Sequence, residues 1–121
     1  MATEYLSPKD GRLISRFRHW PDANTQAVID LPAPATGWRW KIAEILFGYS
    51  VMPAAAAELA IQLDGTDTIK VPIVVDGAHR YAPPGGLEGM EATAIKITLT
   101  ADTGGAKGYL NAMAQQVPFA P

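Results

Sequence analysis

One stretch, "WRWKIAEILFGYSV" (38–51), constrains the fold more than any other. Trp38, Trp40 and Ile42 alternate with polar neighbours, and Ile45, Phe47 and Tyr49 then alternate in the opposite phase. Alternation with a period of two marks a strand with one buried face. A phase change of one residue is what a β-bulge produces, or a strand that crosses from one sheet to another. The β-branched and aromatic content, with Gly48, argues against a helix. A long, locally bent strand is therefore predicted here.

The rest of the chain is cut into similar but shorter pieces. Ten prolines and eleven glycines in 121 residues separate the apolar runs and favour an all-β chain with many turns. Strands are predicted at 12–19 and 26–31, separated by the turn residues of "WPDANT" (20–25) and closed by "PAPATG" (32–37). The alanines of "MPAAAAELAIQLDG" (52–65) suit a helix. Leu59, Ile61 and Leu63 alternate, however, and Asp64-Gly65 closes the run as a hairpin does, so a loop at 53–57 and a strand at 58–63 are predicted. "TIKVPIVV" (68–75) puts Ile69, Val71, Ile73 and Val75 on one face, with Pro72 pointing to an edge or bulged position. Asp76-Gly77 reads as a turn and "HRYAPPGGLEGME" (79–91) as a long loop. Ile95, Ile97 and Leu99 alternate, "ADTGGA" turns the chain, and "KGYLNAMAQQ" (107–116) returns. About eight short antiparallel strands at this spacing predict a single-domain β-sandwich over 12–121, jelly-roll-like in form. Residues 1–11 are polar and hold Pro8, so they read as an extended N-terminal arm long enough to reach a neighbouring subunit.

Charge and composition narrow the function classes. A net charge of −2, with no Lys/Arg cluster beyond Arg12, Arg16 and Arg18, gives no nucleic-acid footprint. No apolar run reaches the ~20 residues of a membrane helix. The N-terminus lacks the apolar core of a secretory signal, so synthesis in the cytoplasm and no membrane partner are expected. There is no cysteine, which removes disulfides and thiolate metal sites.

Several motifs invite chemistry and are weighed against plainer roles. Asp102-Thr103-Gly104 is the tripeptide of aspartic proteases, which pair two such carboxylates. Here Gly105 follows in place of a small Ala or Ser, and turn chemistry accounts for the residues better. Lys107-Gly108 fails the phosphate-loop pattern, which needs Ser or Thr after the lysine. His19 and His79 are isolated, and "DGTDT" (64–68) lacks the spacing of a calcium loop. No catalytic residue, cofactor or metal is expected. Trp20, Trp38 and Trp40 are candidates for stacking on sugar rings, although aromatics at alternate positions usually fill a core or a subunit interface.

The segment from about 37 to 114 resembles small β-sandwich proteins of tailed-phage and prophage structural modules. The matching pattern is Gly48-Tyr49-Ser50, then Leu59-x-Ile61-x-x-Asp64-Gly65, then Ile95-x-Ile97-x-Leu99-x-Ala101, then Gly108-Tyr109-Leu110-Asn111. The resemblance implies a non-enzymatic capsid decoration (cement) or head-spike protein on the virion surface. Its partner would be the major capsid protein, and its own assembly a homo-oligomer, with a trimer favoured. On that reading Tyr5, Leu6, Arg12, Arg16 and Arg18 are the capsid-contact candidates. The alternative expectation is a tail or baseplate adhesin module that binds host glycan through exposed Trp or Tyr.

Overall fold

A computed structural model describes residues 4–5, 14–73, 77–102 and 104–118. Every element among them is a strand: β1 (Glu4–Tyr5), β2 (Ser15–His19), β3 (Ala27–Leu31), β4 (Trp38–Tyr49) and β5 (Ala57–Gln62), then β6 (Asp67–Ile73), β7 (Gly77–Tyr81), β8 (Leu87–Glu88), β9 (Ile95–Leu99) and β10 (Gly108–Pro118). They form two antiparallel sheets. Sheet A has the order β1-β2-β10-β4-β7, with β8 beside the start of β4, and sheet B has the order β3-β9-β5-β6. The eight longer strands are thus dealt out as 2-10-4-7 and 3-9-5-6, the order of a jelly roll. Among the eight longer strands, only β5 and β6 are consecutive and paired within one sheet, their hairpin turning at Asp64-Gly65, where Gly65 has φ +94°.

The core is the space between the sheets, filled by alternate residues of both. Ile29, Leu31, Leu59, Ile61 and Ile97 from sheet B meet Phe17, Ile42, Ile45, Phe47 and Leu110 from sheet A, all of them buried. Each such side chain contributes roughly 1.5–3 kcal/mol by leaving water. The phase change in β4 is a bulge: its pairing with β10 passes from Met113↔Glu44 to Ala114↔Ile42, leaving Ala43 as the extra residue. Trp40 and Ile42 before it, and Ile45, Phe47 and Tyr49 after it, all point into the core.

Two expectations are corrected. The segment 79–91 is not one long loop, because β7 and β8 lie in and beside it and pair with the two halves of β4. "GAHRY" shows no apolar alternation because an edge strand needs only backbone bonds on one side. Its inward residues are His79, stacked on Phe47 at 5.5 Å, and Tyr81. The second correction concerns β9 and β10, which do not pair. β9 lies between β3 and β5, and β10 between β2 and β4, so the turn joining them crosses from sheet to sheet. Of the predicted arm, Glu4–Tyr5 pairs with Arg18 and Phe17 of β2, and the remainder lies outside the described residues.

Candidate functional site

The loops between sheets gather at one end of the sandwich, and Asp102 ties them together. It is 5% exposed, and its Oδ1 accepts a hydrogen bond from Ala54 N–H at 2.7 Å. Oδ2 accepts from Gly104 N–H and Ala106 N–H, both at 2.9 Å. One carboxylate therefore shapes its own turn and holds the loop after β4. Ser50 adds a second tie, its N–H donating to the Lys107 carbonyl and its Oγ accepting from Lys107 N–H. Asn24 Oδ1 accepts from Gly105 N–H at 2.8 Å, and Gly105 has φ +97°. Asp102 is accordingly a structural knot, with both carboxylate oxygens occupied by backbone donors. Beside it, Tyr49 donates to the Thr100 carbonyl at 2.6 Å. Burial, and secondarily the charge of Asp102, push the Tyr49 phenol up to about 12.

The histidines are kept apart. His19 lies on β2 and its Nδ1 accepts from Val28 N–H at 2.9 Å, while His79 is on β7, three strands away across sheet A. That spacing is roughly 14 Å, too far for a shared ion. Among the described residues no three His, Asp or Glu side chains converge as metal ligands. No helix among them is long and apolar enough to cross a membrane.

The three tryptophans have separate fates. Trp40 is 1% exposed, packs edge-to-face on Phe17 at 5.8 Å and donates its indole N–H to the Pro32 carbonyl at 2.7 Å. It is a core residue, and its place as a stacking candidate is corrected on that ground. Trp38 is half-buried at the start of β4, its carbonyl accepting from Ala92 N–H. Trp20 alone is open, with 51% of its surface exposed.

Around Trp20 the outward face of sheet A unites two groups of candidates. Phe17 points inward from β2, so Arg16, Arg18 and the following Trp20 point outward. The Arg18 guanidinium lies 4.3 Å from the Trp20 ring centroid, a cation–π contact, and Tyr109 meets that ring edge-on at 6.2 Å. Trp20 Nε1 donates to Asn111 Oδ1 at 3.2 Å. Across the same rows stand Leu46 and Glu44 of β4 and Arg80 of β7, with Arg80 Nε donating to Glu44 Oε2 at 2.7 Å. Of the remaining capsid-contact candidates, Tyr5 pairs with Phe17 on the neighbouring strand, and Leu6 and Arg12 lie outside the described residues.

Tyr109, Asn111, Leu46 and Arg80 were not among the residues picked from sequence. A signal existed for the first two. In "KGYLNAMAQQ" the small and apolar set Gly108, Leu110, Ala112 and Ala114 faces inward, so Tyr109 is an aromatic at a solvent-facing position of a central strand. Such a residue has no core to fill. Comparison with protein-family models finds no match, and comparison with curated proteins finds none either.

Proposed function

We propose that this chain is a capsid decoration protein of a tailed phage or prophage, non-enzymatic, bound to the major capsid protein on the outside of the head. The observation that carries the reading is the N-terminal segment at the open edge of sheet A. Among the described residues Glu4–Tyr5 pairs antiparallel with Arg18 and Phe17, so this part of the N-terminal segment lies as an added strand along the β2 edge of sheet A. An extended segment anchored there is suited to clasp a neighbouring subunit, and many weak contacts on a symmetric shell sum by avidity. The resemblance supports the same reading, since Gly48-Tyr49-Ser50, Asp64-Gly65 and Gly108-Tyr109-Leu110-Asn111 stand at the strand ends and turns that set this topology.

Deletion of residues 1–11 tests the proposal. The thermal midpoint should change little, because the described core is built from residues between Phe17 and Ala114, while occupancy on purified particles should fall. Unchanged occupancy on particles would remove the arm as the means of attachment.

A second reading, a tail or baseplate module that binds host glycan, is favoured by one observation. Trp20 remains half exposed beside Tyr109 on an open sheet face, where neither ring is needed by the core.

A further inference from the structure

The outward face of sheet A gathers positive charge on a chain whose net charge is −2. Arg16 and Arg18 on β2, Arg39 and Lys41 on β4 and Arg80 on β7 stand on it, against the carboxylates of Glu44 and Glu88. Among the described side chains, the outward face of sheet B carries Asp30 and Glu58 with Lys70 and Lys96, an even balance. Charge therefore separates the two faces, and it selects an anionic partner for sheet A.

The shape of the face selects further. A hollow of 270 Å³ lies between Arg16, Glu44 and Met113, and a second of 370 Å³ lies over Gly48 and Ala78 beside Tyr109. Both are lined by Leu46 and Asn111, so they are neighbours on the same face, one on each side of that residue pair. The floor of the second hollow is fixed by backbone packing. A Cβ on Gly48 would collide with the Gly77 carbonyl oxygen, so no side chain stands there.

We propose that this outward face of sheet A, with Trp20, Arg18 and Arg80 beside the two hollows, binds a linear anionic polysaccharide, a chain of sugar rings bearing carboxylates. Trp20 and Tyr109, both exposed, offer the ring surface that Arg18 and their mutual contact leave open to the C–H faces of the sugar rings. Arg16 offers charge-assisted donors to the carboxylates, and Arg18 and Arg80 add positive charge to the face while keeping their contacts with Trp20 and Glu44. Asn111 accepts from Trp20 through its oxygen, which turns its amide nitrogen into a donor at the junction of the two hollows. An acidic protein surface would meet the same charges but would leave both hollows unfilled, whereas a polymer of compact rings fits into them. The inference rests on the glycan-binding reading of this face and is independent of where on a particle the chain sits.

The test is titration calorimetry of the full chain at low salt with three polymers of matched length. Polygalacturonate is the carboxylated glycan, its methyl ester is the same backbone without charge, and poly-L-glutamate is the same charge without sugar. The expected result is tightest binding to polygalacturonate, by about tenfold or more over either control, weakening as salt rises. Trp20→Ala and the pair Arg16→Gln with Arg18→Gln should each lose most of that binding. Lys70→Gln with Lys96→Gln, on the other sheet, should keep it. Equal binding to the methyl ester would overturn the anionic assignment and leave a neutral-glycan site. Equal binding to poly-L-glutamate would overturn the glycan in favour of an acidic protein surface. No binding to any of the three would overturn both this inference and the glycan reading on which it rests.

Discussion

The two sheets of this sandwich bury equivalent inner faces and present different outer ones. Inside, Ile29, Ile61 and Ile97 of sheet B answer Phe17, Ile45 and Leu110 of sheet A, and neither sheet dominates the core. Outside, sheet B shows Val28 with Asp30, Glu58, Lys70 and Lys96, a charge-balanced set among its described side chains, typical of a solvated surface. Sheet A shows Trp20, Tyr109 and Leu46 among arginines. Stability demands the inner faces and is indifferent to the outer ones. The concentration of exposed aromatics and cations on one outer face is therefore the part of the sequence that folding does not explain.

The sharpest way to break this comparison is to truncate a tryptophan on each side of sheet A. Trp40→Ala should cost about 3–5 kcal/mol in denaturant unfolding, since it empties a buried site and forfeits the ring contact with Phe17. Trp20→Ala should cost under about 1 kcal/mol, the worth of an exposed cation–π contact. Similar losses at both positions would mean that the outer face is structural after all.

Next in size is the knot that joins the loops of both sheets. Asp102→Ala leaves Ala54, Gly104 and Ala106 N–H groups without their acceptor and should destabilise by roughly 3 kcal/mol. A loss under about 1 kcal/mol would show that the loops hold without it.

Tyr49 gives a pH signature of the same end of the molecule. Its phenol is raised from 10.0 to about 12 in the folded protein, so the folded state favours the neutral form. The stability this provides is complete below pH 10 and is lost as pH rises from 10 towards 12, by up to roughly 2–3 kcal/mol. Tyr49→Phe should flatten that alkaline limb relative to the parent chain. An unchanged limb would assign it to other groups.

The smallest effects on stability sharpen the contrast most. Arg16→Gln with Arg18→Gln on sheet A, and Lys70→Gln with Lys96→Gln on sheet B, should each change stability by no more than about 0.5 kcal/mol. Only the sheet A pair should alter binding. Equal effects on binding would erase the distinction between the faces.

What could be read from the sequence followed side-chain periodicity. The phase change between Ile42 and Ile45 announced the bulge at Ala43, because a strand that buries both halves of its apolar set must take up one extra residue. Asp64-Gly65 announced its hairpin through the φ > 0 demand of the turn. β7 escaped notice because its pairing to β4 uses backbone groups, which leave no trace in side-chain type. Sheet membership also escaped: Ile95, Ile97 and Leu99 alternate in the same way whether their strand pairs with β10 or crosses over to β3 and β5. Trp20 and Trp40 looked equivalent as residues. They differ because Trp40 belongs to the inward set of β4, whereas Trp20 follows the outward set of β2. Asp102 was legible as a turn former, but its bond to Ala54 spans 48 residues and depends on the fold.

Copy number tests the central claim most directly. The chain should be quantified against the major capsid protein in purified particles by calibrated mass spectrometry. The decoration reading predicts hundreds of copies per particle, in fixed proportion to capsid subunits. A handful of copies would place the chain at a tail or vertex, and its absence from particles would contradict the reading outright.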